Sequence, residues 1–283
     1  MITSPATTEI LVAHSPDSDD AFMFYGLATG KIRVPGYKFV HTLTDIETLN
    51  HRAIDDAYYD VTAMSFHAYP YLQEKYALMS CGSSMGEGYG PILVATRKIR
   101  LQDIRKLRVA VPGTLTSAYL TLKLFCPEVE TFVVDFEKIT SAVAAGEYDA
   151  GLLIHEGQLT FGNDGMQKIL DLGQWWHSET GLPLPLGGNA VRRSLGPEGM
   201  LTVTQAVRDS IQHALDHRDE ALAYAMQFAR ELDPNLANRY VGMYVNQRSL
   251  DFGEDGREAI RKLLEMGYER GIIPIRAQVD FVG

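Results

Sequence analysis

Asp149 to Ile154 is a short, mostly apolar run closed at once by His155, Glu156 and Gly157, and it constrains the fold more than any other stretch. An apolar run of this length, bounded by turn residues, is the signature of a strand buried on both faces of a parallel sheet. It predicts an α/β chain with an imidazole at the carboxyl end of a central strand. That is the edge of an open α/β sheet at which ligands bind. Histidine is the side chain suited to general-base work near neutral pH. It can equally cap a strand and hydrogen-bond to backbone, and this segment by itself leaves both readings open.

The strand–turn–helix pattern recurs along the chain. Glu9 to His14 reads as a first buried strand, Ser15 to Asp20 as a turn rich in helix N-cap residues, and Ala21 to Ala28 as an apolar helix closed at Gly30. Tyr37 to Leu43 is predicted as a second strand and Asp45 to Ala53 as a short polar helix. Asp60 to Ser65 is a third strand, running into an aromatic-rich helix from Phe66 to Lys75. A Gly/Ser-rich loop, Ser80 to Gly90, precedes a strand at Pro91 to Thr96. The loop lacks the Lys-Ser/Thr ending of a P-loop and does not run from strand to helix, so it reads as a hinge or ligand-facing loop, not a nucleotide site.

A second unit begins near Arg97. Lys106 to Val111 is a strand, Pro112 to Ser117 a turn, Ala118 to Phe125 a helix, Thr131 to Val134 a strand and Glu137 to Ala145 a helix. The His155 segment follows, then a short strand at Lys168 to Leu172. Leu182 to Gly188 is too rich in Pro and Gly for a regular element and reads as a crossover back to the first unit. Beyond Pro197 the pattern is helical, at Met200 to Arg230, Pro234 to Val245 and Glu254 to Arg270, and this tail is expected to wrap an existing domain. Residues 1–96 with 189–283 are expected to form a larger discontinuous α/β lobe, and 97–188 a smaller one.

The chain's 283 residues suit two α/β domains or one large one. A formal net charge of −10 argues against a nucleic-acid or anionic-membrane surface, both of which need a basic face. It does not exclude an anionic small molecule, which backbone N–H groups can hold. No run of 18 apolar residues occurs, so no membrane-spanning helix is expected. The first ten residues lack a basic stretch followed by an apolar one, so no signal peptide is expected. Cys81 and Cys126 are far apart and flank no metal-ligand spacing, as expected of reduced thiols in a cytoplasmic protein.

Four predicted strands end in turns carrying small hydroxyl or ionisable residues: at Ser15, at Ser65, at Thr114 to Ser117, and at His155-Glu156. Parallel connectivity puts such ends on one edge of each sheet, and two facing domains let both edges border one cleft. Helix N-termini then aim unpaired N–H groups at it, a lining suited to a carboxylated, hydroxylated ligand. Each member keeps a structural alternative. Ser15 and Asp17 serve equally as helix caps, Asp19 and Asp20 as partners of a helix dipole, and Thr116 and Ser117 as caps alone. His14, His41, His51 and His67 show no zinc-like spacing, no His-Glu-x-x-His motif occurs, and no Gly-x-Ser-x-Gly elbow marks a serine hydrolase. Trp175 and Trp176 read as packing at a domain junction, with a place in the cleft wall as the alternative.

Several of these segments resemble the 1,4-dihydroxy-6-naphthoate synthase family, the cyclic dehypoxanthinyl futalosine lyases of the futalosine route to menaquinone. They are Ser15-Pro16 with Asp20, Phe22, Phe24 and Tyr25; Ala110 to Gly113 with Thr116 to Tyr119; and Gly151 to Glu156. Trp175-Trp176, Thr180 to Gly188 with Arg192-Arg193, and Tyr244 to Asn246 extend the match, which runs from about residue 9 to 270. The resemblance implies a two-lobed type II periplasmic-binding-protein-like α/β fold with a central ligand cleft. It also implies that His155 is the general base, that Ala63, Met64, Ser65, Thr116, Ser117 and Ile154 bind substrate, and that the lyase needs no cofactor. The first turn departs from the commoner family pattern, Ser-Pro-Cys-Pro-Asn-Asp, by reading Ser-Pro-Asp-Ser-Asp-Asp. Ser117 stands where threonine is more usual. The expected partner is a small carboxylated substrate, with no nucleic acid and no membrane; a homodimer is left open. Two other functions fit the same lobes: the chorismate dehydratase of the same pathway, and a non-catalytic solute-binding protein.

Overall fold

The computed structural model describes residues 7–228 and 233–283. Residues 1–6, part of the stretch read for a signal peptide, and Arg230, the expected end of the first tail helix, lie outside them. Among the described residues two mixed sheets form, of seven and five strands.

The chain opens with β1 (Thr8–His14), α1 (Ser18–Ala28), β2 (Tyr37–Leu43), α2 (Ile46–Asp55) and β3 (Val61–Ser65). Both β2 and β3 pair parallel to β1, as the strand–turn–helix pattern predicts. Every residue of β3 is buried, and α2 is capped by Asp45, whose carboxylate accepts the Thr48 N–H at 2.9 Å. The helix expected over Phe66 to Lys75 is shorter. A 3₁₀ turn at Phe66–Ala68 leads into α3 (Tyr69–Leu72), and the chain then turns into a strand not read from the sequence, β4 (Tyr76–Met79). The glycine-rich loop contains β5 (Ser84–Gly86).

Next come β6 (Ile92–Ala95), β7 (Arg108–Val111), α4 (Ser117–Phe125), β8 (Glu130–Val133), α5 (Ile139–Ala144) and β9 (Ala150–Leu153). They continue through α6 (Gly157–Thr160), β10 (Gln167–Asp171) and α7 (Leu172–Thr180). The second sheet has the order β10-β6-β9-β7-β8, so β9 is central and fully buried. It runs parallel to β7 but antiparallel to β6, so this sheet is mixed where a parallel one was expected. Gly151 lets α5 lie directly on β9: a Cβ there would stand 2.5 Å from Ile139 Cγ2.

Leu184 to Arg192 overturns a reading. It is a nine-residue strand, β11, antiparallel to β3, β4 and β5, not an irregular crossover. Proline is tolerated because the pairing with β5 shifts register between Pro185 and Gly187. Gly188 is needed because the Phe66 ring occupies the space of a side chain, 2.8 Å from where its Cβ would be. The tail forms α8 (Gly196–Asp216), α9 (Arg218–Ala225), α10 (Pro234–Tyr244), α11 (Gln247–Leu250) and α12 (Gly253–Glu269). It ends in β12 (Phe281–Val282), which joins the edge of the first sheet beside β4. Helix α8 buries Val203, Val207 and Ile211 among Ile10, Val12, Phe22 and Phe24 of β1 and α1. No helix among the described residues is long and apolar enough to cross a membrane.

Candidate active site

The carboxyl ends of β1, β3, β7 and β9 converge on one cavity between the two sheets. Ala63, Met64 and Ser65 line it from β3, Thr116 and Ser117 from the start of α4, and Ile154 and His155 from the turn after β9. All seven residues singled out from the sequence therefore face a common space, with Ser15, Asp19 and Asp20 of the first turn beside them.

His155 sits in left-handed backbone geometry, φ +52°, a conformation uncommon outside glycine. Its Nδ1 lies 3.0 Å from Asp17 Oδ2, and the Phe136 ring meets its edge with centroids 5.3 Å apart. Asp17 occupies the N-cap position of α1 but makes no side-chain cap bond. Its carboxylate instead takes the Ser15 hydroxyl at 2.7 Å and faces the imidazole across the cleft. The Ser15 N–H donates to Asp20 Oδ2 at 2.8 Å, and the Ser18 hydroxyl donates to Glu156 at 3.2 Å. The first turn is thus clasped to the His155-Glu156 turn by two contacts.

Burial pushes the Asp20 carboxyl up to about 6 and raises Asp19 well above the usual carboxylate range, the latter reinforced by Asp20, Asp17 and Glu156 nearby. Asp19 accepts the Ser84 hydroxyl at 3.4 Å. Whatever these acids contribute to the helix dipole, their side chains are committed to interior hydrogen bonds.

The hydroxyls opposite are partly spent. Thr116 Oγ1 accepts the Tyr119 N–H at 3.1 Å and donates to the Gly113 carbonyl, so Thr116 is a helix cap as well as a cavity wall. Ser117 Oγ donates to the Leu186 carbonyl and accepts the His67 N–H. Ser117 and Ala118, the first two residues of α4, line this end of the cavity, and N–H groups at such positions have no intrahelical partner. Ser65 Oγ accepts from Asn50 Nδ2 at 3.1 Å, and its N–H donates to Asn50 Oδ1 at 2.9 Å, so Asn50 fixes the place of Ser65 on the cavity wall.

Several cavity residues were not read from the sequence. Tyr240 and Tyr244 come from α10, one helical turn apart, and the Tyr244 hydroxyl reaches Gln158 of α6 at 2.7 Å. Their i, i+4 spacing on an amphipathic helix was the available signal, and the Tyr244 to Asn246 segment of the resemblance touched it. Asn189 of β11 is pinned by its Nδ2 to the Gly82 carbonyl at 2.8 Å, and Gly82 and Ser84 put part of the glycine-rich loop on the cavity wall. No Lys or Arg lines the cavity among the described residues. No group of three or more His, Cys, Asp or Glu among them is placed to hold a metal. Trp176 is fully buried and donates to the Pro183 carbonyl, while Trp175 packs edge-on against Phe125; both are packing residues.

A family described as menaquinone biosynthesis matches residues 10–269. The chain is 40% identical to the 1,4-dihydroxy-6-naphtoate synthase of Streptomyces coelicolor, over 93% of this chain and 94% of that one. The crystal structure of protein AF1704 from Archaeoglobus fulgidus superposes with a TM-score of 0.90 at 45% identity, covering 94% of this chain and 98% of its own. The alkanesulfonate-binding protein SsuA of Xanthomonas axonopodis is 12% identical and superposes with a TM-score of 0.72 over 97% of each chain. At that identity the likeness speaks for the architecture alone, and the two sheets with a cavity between them are those of the periplasmic-binding-protein fold.

Proposed function

The chain belongs to the menaquinone biosynthesis family, and from that premise we propose that it is a carbon–carbon lyase. Its substrate is cyclic dehypoxanthinyl futalosine, and its products are 1,4-dihydroxy-6-naphthoate and dihydroxyacetone. The observation that carries this reading is His155 in a cavity lined by serine and threonine residues that follow strands of both sheets.

In the proposed reaction His155 takes the proton of a sugar hydroxyl. The oxygen's electrons form a carbonyl as the adjacent carbon–carbon bond breaks in a retro-aldol sense. The broken bond's electron pair passes into the bicycle as an enolate, which takes up a proton in place of the one removed and aromatises as dihydroxyacetone leaves. A general base of this kind contributes about 10²–10⁴-fold. With no Lys or Arg lining the cavity among the described residues, the substrate carboxylate falls to the first-turn N–H groups of α4 and the Ser65 hydroxyl, and the same donors stabilise developing oxyanion charge. The apolar surface of Met64, Ile154 and Leu186 suits the ring system. The steps consist of proton transfer and bond cleavage alone, so no cofactor is invoked.

The test is to incubate purified protein separately with cyclic dehypoxanthinyl futalosine and with chorismate and to identify products by mass spectrometry. Naphthoate and dihydroxyacetone from the first are expected. Dehydration of chorismate assigns the chorismate dehydratase of the same pathway instead, and return of both compounds unchanged leaves a binding protein.

A further inference from the structure

We infer that Asp17 is the positioning residue for His155, holding the imidazole with its proton on Nδ1 so that Nε2 is the basic nitrogen, a role that rests on His155 acting as the base. Asp17 follows β1 of the first sheet and His155 follows β9 of the second. The pair therefore spans the cleft, and the ring is oriented only when the two sheets are brought together as they are here.

The geometry separates this from a capping role. Asp17 stands at the N-cap of an eleven-residue helix, the place where a carboxylate ordinarily accepts a first-turn N–H, yet no side-chain cap bond is made. Oδ2 instead receives the Ser15 hydroxyl at 2.7 Å and lies 3.0 Å from His155 Nδ1. The Oδ2 lone pairs face Nδ1 at 3.0 Å, an approach that is favourable with the proton on Nδ1 and repulsive with a bare nitrogen there. A histidine whose Nδ1–H faces a carboxylate has its tautomer and ring direction biased by that contact.

Two further features restrict the ring. Phe136 meets its edge, and the backbone is held at φ +52° with the His155 carbonyl accepting the Gln158 N–H at 3.2 Å. Neither selects a tautomer; the carboxylate does.

The test has a readout that does not depend on turnover. Long-range ¹H–¹⁵N correlation spectra of the imidazoles report the tautomer of each neutral histidine, and His155 is assigned by comparison with His155→Gln. Neutral His155 is expected in the Nδ1–H form in the wild-type protein and displaced toward Nε2–H in Asp17→Asn. In the assay of the proposed lyase, Asp17→Asn is expected to lower kcat at least tenfold while KM changes less than threefold. A wild-type spectrum showing Nε2–H at His155 overturns the inference, whether or not the variant folds. So does a folded Asp17→Asn protein with unchanged tautomer and kcat. If wild-type protein leaves the futalosine compound intact while the spectrum shows Nδ1–H, the function is misassigned and the Asp17–His155 relationship stands.

Discussion

Glu47 reaches across the cleft from α2 and accepts the Leu115 N–H at 3.2 Å, in the turn that leads into α4. The contact is close because residue 113 is glycine: a Cβ there would lie 2.3 Å from Glu47 Cδ. Together with the Asp17–His155 and Ser18–Glu156 contacts, it holds the cavity walls together from the opposite side.

Glu47→Ala should therefore loosen the turn that presents the α4 N–H groups. One hydrogen bond at a half-buried site contributes about 1 kcal/mol, or roughly fivefold in kcat/KM. Gly113→Ala should cost at least as much by pushing the carboxylate aside. Because both act through one contact, the double variant should be no worse than the poorer single one, whereas independent effects would add. Steady-state kinetics on the four proteins decides.

His155→Ala should give a folded protein that binds ligand with near wild-type affinity but turns over at least about a hundredfold more slowly. Affinity is measured by calorimetry and turnover by product formation. Wild-type-like turnover removes His155 as the base.

Much of this site was legible because its chemistry sits where strands end. A short apolar run closed by His155-Glu156, and the Pro112 to Ser117 turn ahead of α4, are local patterns, and local patterns place a residue at a sheet edge. The partner of His155 was not legible. Asp17 lies 138 positions away, and its N-cap position offered a sufficient explanation that α1 does not use. Glu47 and Asn50 were hidden in the same way, on a helix that read as polar surface. Strand β11 was misread because Pro185, Gly187 and Gly188 argue against regular pairing on propensity. Here a register shift accommodates the proline and the Phe66 ring fills the space beside Gly188.

Gly151→Ala tests how tightly β9 must be seated to aim the following turn. The added methyl would meet Ile139 Cγ2 at 2.5 Å and Val143 Cγ2 at 3.1 Å. Overpacking of this kind costs about 1–3 kcal/mol, and a strand displaced outward carries His155 with it. Both the melting temperature and kcat should fall. Adding Ile139→Ala opens the space, so the double variant should be more stable than the two separate losses predict. Strict additivity would place the clash elsewhere.

The pH dependence of stability should be governed by buried histidines. His14, His41 and His67 are pushed down to about 4 by burial, from 6.5 in the unfolded chain. As pH falls below 6.5 the unfolded state takes up protons first, so stability present at neutral pH is lost progressively until about pH 4. By pH 5 each contributes a loss of about 2 kcal/mol, less for His41, which is the least buried and touches His14. Asp20 works in the opposite sense. Its carboxyl is raised to about 6 from 3.8, so its contribution is full below 3.8 and lost as pH rises through 6, and Asp19 shifts in the same direction. Between pH 7 and pH 5 the histidines and these acids pull the melting temperature in opposite directions, so the histidine share has to be isolated one residue at a time. His67 allows a clean test because its Nδ1 faces the Thr116 carbonyl at 3.2 Å, a bond that glutamine can make without titrating. His67→Gln should melt near the wild-type temperature at pH 5 even where it is less stable at pH 7.5. An unchanged pH slope in that variant would assign the acid loss to groups other than His67.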